Sequence, residues 1–99
     1  GNISVRSALN EPFEADIKLS SVSAGELDSA HIKLASRADF KRAGILQTPI
    51  LSDLRFSVVK RGGKNTVLVS SVAPVRDPFL DFLVEVVTRK GRMVRQYTV

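Results

Sequence analysis

Few side chains in this 99-residue sequence have the types and spacing that catalysis or metal binding requires. His31 is the only histidine and cysteine is absent, whereas a structural zinc site needs about four nitrogen or sulfur ligands. Asp81 and Glu85 alternate with apolar residues of a predicted strand, so they lie about 13 Å apart at a rise near 3.3 Å per residue. That spacing is too wide for the paired carboxylates of a retaining glycosidase.

Nucleophile and phosphate-binding motifs are absent as well. The serines at 20, 21, 23, 70 and 71 are not in a G-x-S-x-G elbow, and a triad would have to recruit His31. Gly62-Gly63-Lys64 lacks the spacing and the following Ser or Thr of a P-loop, so we interpret it as a turn. The sequence therefore predicts no catalytic, cofactor-binding or metal-binding residues, and we expect a protein that is not an enzyme.

Positive charge is concentrated in two turns, residues 60–65 and 88–92, and neither contains an acid. Residues 1–54 carry six basic and seven acidic side chains, a net charge of −1, whereas residues 55–99 carry nine basic and three acidic ones, a net charge of +6. This asymmetry favours an anionic partner such as phosphate, lipid headgroups or peptidoglycan carboxylates. The alternative is that the basic tips are solvated and discourage edge-to-edge aggregation. The candidate anionic contact comprises Lys60, Arg61, Lys64, Arg89, Lys90 and Arg92.

A second candidate contact precedes the strongest predicted strand. Pro78 restricts Asp77 to extended geometry, and Phe79 faces opposite to the inward set that begins with Leu80. Phe79 beside Arg76 would form a protein contact if it stays exposed, because exposed aromatic and arginine side chains are typical of interfaces. For the apolar residues on outward strand faces, Leu83 and Val87, we expect coverage by the helices and loops.

Period-two alternation dominates the chain and predicts seven strands. Phe13, Ala15, Ile17 and Leu19 alternate with polar residues, and Leu80, Phe82, Val84 and Val86 do the same. Capping patterns predict a helix over residues 37–43, with Ser36 as its cap and Gly44 as its stop, and a single turn over 24–29 with Ser23 as its cap. We expect the buried side chains of the scaffold to include Phe13, Ile17, Phe40, Phe56, Phe82 and Val84.

These elements predict a mainly β fold, an immunoglobulin-like antiparallel sandwich of two sheets with about seven strands and one or two short helices. If the last four strands alternate in direction, both basic turns lie at one end of the sandwich and form one cationic rim. Ninety-nine residues fit one domain. Because the chain begins with Gly1 and stops within a strand pattern, we interpret residues 1–99 as a fragment of a longer protein.

Several segments are more particular than generic sandwich patterning. They are SALNEP at 7–12, LSDLRF at 51–56, RDPFLDFLVEV at 76–86 and RQYTV at 95–99, with ELD at 26–28 and FKRAGI at 40–45 also in place. In this order the chain resembles the amino-terminal periplasmic domain of the FimV family, whose relatives include HubP and TspA. The resemblance covers nearly the whole chain and is specific as an ensemble of segments.

The resemblance implies a large inner-membrane protein of Gram-negative bacteria that acts at the cell pole and supports type IV pilus assembly and twitching motility. It implies a periplasmic location and contacts with envelope or pilus-assembly proteins or anionic envelope surfaces. The family's peptidoglycan contact is usually assigned to a LysM module, which is absent from these residues, so that contact cannot be carried over to this chain. Direct peptidoglycan binding by this domain is therefore kept only as the alternative function. No apolar run approaches the roughly 20 residues of a membrane helix. Specific nucleic-acid binding is not expected, because neither basic turn contains an aromatic ring for stacking. Non-specific, electrostatic binding of nucleic acid is the lowest-ranked alternative. The oligomeric state is left open.

Overall fold

Seven strands in two antiparallel sheets make up the frame in a computed structural model, which describes residues 2–19 and 24–99. The strands are β1 (Asn2–Val5), β2 (Pro12–Lys18), β3 (His31–Leu34), β4 (Arg55–Arg61), β5 (Lys64–Pro74), β6 (Asp81–Thr88) and β7 (Gly91–Thr98). One sheet has the order β1-β2-β5-β4 and the other β3-β6-β7. An immunoglobulin constant-type domain divides its seven strands in the same way. The predicted fold class is therefore confirmed.

The alternating pattern of β2 shows why the first sheet has one buried face. Phe13, Ala15 and Ile17 are buried, whereas Glu14 points to solvent. Val69 of β5 pairs with Ala15 and is equally inaccessible, so the inward rows of neighbouring strands continue one another. These rows meet the inward face of the second sheet, where Phe82 and Tyr97 pack with ring centroids 6.0 Å apart.

Strand β6 is buried on both faces. Phe82, Val84 and Val86 face the first sheet, yet Leu83 and Glu85 on the opposite face are also buried. The expected coverage of Leu83 is thus confirmed, and Val87 is half-buried. The cover is helix α2 (Arg37–Ala43), which an ion pair of Asp39 ties to this outer face, as described below.

The sequence signals that bound α2 are both realised. The Ser36 hydroxyl accepts a hydrogen bond from the backbone N–H of Asp39, and the Asp39 carboxylate accepts one from the N–H of Ser36. Gly44 ends the helix with φ of 71°, a left-handed conformation that glycine adopts without a Cβ clash. A shorter helix, α1 (Ala24–Asp28), confirms the predicted single turn. The predicted cap Ser23, like Ser20 and Ser21, lies outside the described residues.

Two details differ from the sequence prediction. Phe56 was expected in the core but is only half-buried, because it lies on β4, an edge strand with one neighbour. A 3₁₀ helix over Pro49–Asp53 was not predicted. It begins at a proline, buries Leu51, and ends where Asp53 accepts hydrogen bonds from the N–H groups of Val72 and Ala73. This short helix carries the chain from α2 to the first sheet.

The chain reversals define two ends of the sandwich. The β4–β5 and β6–β7 turns are tight, with Arg61 opposite Lys64 and Thr88 opposite Gly91. Residues 75–80 connect the far end of β5 to the start of β6. Because paired strands alternate in direction and packed sheets are nearly aligned, both turns lie at the end away from this connection. We call these the hairpin end and the connection end.

Candidate contact surfaces

The first basic turn owes its shape to two glycines. Gly62 and Gly63 have φ of 57° and 79°, which suits the mirror-image turn that matches the twist of a two-residue hairpin. Lys60 and Arg61 precede them and Lys64 follows, so this glycine-centred reversal places three cations at one strand tip. In the second turn, the N–H of Lys90 donates to the hydroxyl of Thr88 at 3.2 Å.

Three of the six predicted contact cations are engaged in ion pairs. Arg61 Nε lies 3.4 Å from a carboxylate oxygen of Asp16 on β2. Lys90 Nζ lies 3.3 Å from Glu26 of α1. Arg92 contacts Glu85 at 2.6 Å and also pairs with Asp39. These ion pairs compensate positive charge that the sequence pattern alone predicted to be available to an anionic partner.

The other three cations, Lys60, Lys64 and Arg89, are exposed. None of them forms an ion pair with an acidic side chain that the structure describes. The hairpin end therefore presents fewer uncompensated charges than the six expected from sequence. They sit at two turns that belong to different sheets.

Arg92 belongs to an ion cluster, centred on two buried carboxylates, that the sequence did not predict. Asp39 of α2 and Glu85 of β6 are both buried, and Arg92 of β7 lies between them while Lys33 reaches Glu85 at 3.6 Å. Burial by itself raises the pKa of Asp39, but hydrogen bonds from Ser36 and the guanidinium of Arg92 outweigh it, so the pKa lies below 3.8. The hydrogen bond to Glu85 raises the pKa of Arg92. The cluster fastens α2 to the second sheet.

At the connection end, a loop of four exposed residues stands between two buried ones. Val75 donates to the carbonyl of Glu11 at 3.0 Å and accepts from the N–H of Asn10 at 2.8 Å. Leu80 and Val99 exchange two backbone hydrogen bonds of 2.9 Å. We call residues 76–79 the Phe79 loop. Its anchors hold the loop in place while the Phe79 side chain is 77% exposed, as the prediction required for a contact residue.

A groove of about 230 Å³ opens beside the Phe79 loop. Its walls come from three places: the β1–β2 connection, the Phe79 loop with its anchors, and the end of β7. The lining residues used below are Leu9, Phe13, Val75, Asp77, Pro78 and Leu80. Phe13 and Leu80 are buried, whereas Leu9 is 55% exposed. Concave apolar surface of this kind is typical of sites that take up an apolar group.

Other chemistry is not evident in the described parts of the chain. No group of three or more histidine, cysteine or carboxylate side chains that could hold a metal ion occurs among residues 2–19 and 24–99. His31 is exposed at the start of β3. Within the same residues, no helix has the length and apolar character needed to cross a membrane.

Comparison with known proteins identifies the family. The model of the FimV N-terminal domain, an Ig-like domain, matches residues 1–99. The chain belongs to this FimV domain family. It is similar to the motility hub protein FimV of Pseudomonas aeruginosa, in strains PAO1 and UCBPP-PA14, with 43% identity over 102 residues in each case. The alignments cover all of this chain but 11% of each FimV protein. No solved structure matches the chain.

The FimV resemblance inferred from sequence motifs is thereby confirmed. Two of those motifs lie at the connection end in this FimV domain. The SALNEP segment supplies Ser7 to Leu9 as one wall of the groove, and the segment from Arg76 supplies Asp77, Pro78 and Leu80 as another. The sequence marked these segments as unusual but did not indicate that they meet. Leu9 could have suggested that the two segments meet, because it is an apolar residue that belongs to no alternating strand pattern.

Proposed function

We propose that this chain is a non-enzymatic interaction domain of a FimV-like motility hub protein, that it lies in the periplasm, and that it contacts envelope or pilus-assembly proteins. Family membership supports the hub assignment, because the similar proteins are named motility hub proteins. The observation that carries the contact is the side chain of Phe79, which is 77% exposed beside an apolar groove.

The physical argument for a protein partner is the free energy that would be gained if a partner buried the exposed Phe79 side chain. Burying a phenylalanine side chain contributes roughly 1.5–3 kcal/mol. Phe79 has not been buried by the fold, although Leu80 next to it is only 4% exposed. Because Val75 and Leu80 hold the loop at both ends, little conformational entropy is lost when a partner covers it. Arg76 at the rim adds a residue type that is frequent among interface hot spots.

Binding by variants of the 99-residue chain tests this contact against a purified envelope or pilus-assembly protein that pairs with it. We expect Phe79→Ala to weaken that pairing roughly tenfold or more, because hot-spot truncations cost at least about 1–2 kcal/mol, and Arg76→Ala to weaken it less. Leu46→Ala is the matched control, since Leu46 is 80% exposed and does not line the groove. Unchanged affinity in Phe79→Ala, or equal loss in Leu46→Ala, would reject the Phe79 loop as the contact.

A second candidate is contact with an anionic envelope surface, including the carboxylates of peptidoglycan, at the hairpin end. The observation that favours it is that Lys60, Lys64 and Arg89 are exposed and pair with no acid that the structure describes. Arg61, Lys90 and Arg92 are compensated by their ion pairs, so this contact rests on the three exposed cations.

Co-sedimentation with purified sacculi tests this second candidate. Capture that survives about 0.3 M salt favours recognition of the glycan, because exposed ion pairs are largely screened at that strength. Capture lost in salt and on reversing Lys60 and Lys64 to Glu indicates a charge contact. Reversal of Arg55 and Arg76 changes the net charge equally at exposed positions away from the 60–65 turn and is the control. If sacculi bind both double variants as tightly as the parent chain, the hairpin end is not the contact.

A further inference from the structure

Leu46 is the most exposed of the large apolar side chains that the structure describes, at 80%. It lies in the segment that joins α2 to the 3₁₀ helix, so it belongs to no strand and to neither strand hairpin. We call residues 45–48 the Leu46 loop. Exposed single leucines are common on protein surfaces, so exposure alone does not assign a role. The surroundings of this leucine do.

The groove beside the Leu46 loop is cationic and contains no acid. Nine described residues line it, and its charged members are Arg37 and Lys41, four residues apart on one face of α2. Both are exposed, and neither pairs with an acidic side chain within the part of the chain that the structure describes. The polar members are Gln47, Thr48 and Ser52, which can donate hydrogen bonds to an anionic oxygen.

The Leu46 loop is held in place from both sides. Ile45 donates a backbone hydrogen bond of 3.0 Å to the carbonyl of Phe40, whose ring is buried in the core. At the other end, the carbonyl of Thr48 accepts a hydrogen bond of 3.1 Å from Leu51, which is 1% exposed. The backbone on both sides of Leu46 is therefore anchored to the buried residues Phe40 and Leu51.

We propose that Leu46, Arg37 and Lys41 form a contact site for an anionic phospholipid surface. Charge complementarity selects an anion, because the groove carries cations and no acid. Among anionic surfaces, lipid is favoured over an acidic peptide because Leu46, although it lines this groove, keeps 80% of its surface exposed to solvent. A projecting apolar side chain flanked by cations matches the boundary where headgroup phosphates meet acyl chains. This site shares no lining residue with the groove at the Phe79 loop, so it does not rest on the function proposed there.

Tryptophan fluorescence tests the inserted position directly, because the sequence contains no tryptophan. A Leu46→Trp variant of the 99-residue chain carries a single reporter at the loop tip. We expect its emission to shift to shorter wavelength with vesicles of phosphatidylglycerol and phosphatidylcholine, and to stay unchanged with phosphatidylcholine alone. A Phe79→Trp variant is the control, since position 79 is also exposed but lies at the connection end. We expect no shift from it with either vesicle.

Vesicle co-sedimentation tests the role of the two cations. Each basic residue near an anionic surface contributes about 1 kcal/mol, so Arg37→Gln with Lys41→Gln should lower the partition coefficient roughly thirtyfold. Leu46→Ser should lower it several-fold. The matched control, Lys18→Gln with Arg55→Gln, removes the same charge at two exposed positions outside this groove and should change partition less than about threefold. Thermal unfolding of each variant shows whether the chain is still folded.

Four results would overturn the proposal. They are equal partition to neutral vesicles, equal loss in the Lys18 and Arg55 control, a blue shift at position 79 but not at 46, and an unchanged partition coefficient in the Arg37 and Lys41 variant. Binding of a soluble acidic peptide at the Leu46 loop, without any partition to phosphatidylglycerol vesicles, would assign the site to a protein ligand instead. Loss of vesicle binding would leave the Phe79 contact intact, because that contact is measured with a protein partner.

Discussion

The Tyr97 hydroxyl is a buried polar group without a hydrogen-bond partner among the described residues. Tyr97 is 3% exposed. Burial raises the pKa of Tyr97 above its usual value of 10.0, because the charged phenolate would be poorly solvated in the core. Its ring packs against Phe82, so the aromatic body carries the favourable contact and the oxygen contributes a desolvation cost.

Replacing Tyr97 with Phe should therefore stabilise the domain. The buried unpaired hydroxyl costs about 1–3 kcal/mol, and the ring contact is retained. We expect chemical denaturation to give a free energy of unfolding about 1 kcal/mol higher. Ser71→Ala is the matched contrast, because the buried Ser71 hydroxyl accepts from Phe13 at 2.8 Å and donates to Ala73 at 2.7 Å. That variant should lose stability; a loss in Tyr97→Phe as well would show that its hydroxyl is paired.

Asp39 gives the domain a defined response to acid. Its pKa is lowered in the folded state from a usual value of 3.8, so folding is favoured while the carboxylate is ionised. This contribution is present above pH 3.8 and is lost as the pH falls through the folded-state pKa. We expect the stability difference between the parent chain and Asp39→Asn to be largest near neutral pH and to shrink in acid. A difference that is constant from neutral to strongly acidic pH would contradict this role.

At the scale of elements, Gly44 and Gly25 should respond differently to replacement by alanine, because only Gly44 has a left-handed backbone conformation. Gly44 ends α2 with φ of 71°, whereas Gly25 lies within the short helix α1, and a Cβ at either position would meet nothing within 4 Å. Gly44→Ala should therefore cost about 1 kcal/mol through backbone strain. Gly25→Ala should add about 0.5–1 kcal/mol through helix propensity. Melting temperatures check both, and shifts of the same sign would contradict the assigned conformations.

At the scale of the whole molecule, the strands and helix α2 were predictable because each is determined by residues that are close together in sequence. Alternation in β2 and β6 identified strands, and Ser36 with Gly44 bounded α2. The sequence could not pair Arg92 with Asp39, since 53 positions separate them and the contact exists only once α2 lies on the second sheet. The groove was likewise hidden, because its walls come from both ends and the middle of the chain.

The same long-range packing changed the candidate sites. Arg61, Lys90 and Arg92 looked like free surface charge in sequence, but they pair with Asp16, Glu26 and Asp39, each on a distant element. Phe79 kept its predicted exposure because Pro78 and the anchors Val75 and Leu80 shape its loop locally. Contacts fixed by nearby residues were thus predictable, and contacts fixed by the fold were not.

Site-specific photocrosslinking in cells tests the central proposal most directly, with the full-length protein that contains this domain in its native host. A photoreactive residue replaces Phe79 in one strain and Ser57 in another, because both positions are exposed and Ser57 lies on a different strand, β4. We predict a discrete adduct with one envelope protein from position 79 and none from position 57. No adduct at position 79, or identical adducts at both positions, would contradict the Phe79 loop as the contact of this domain.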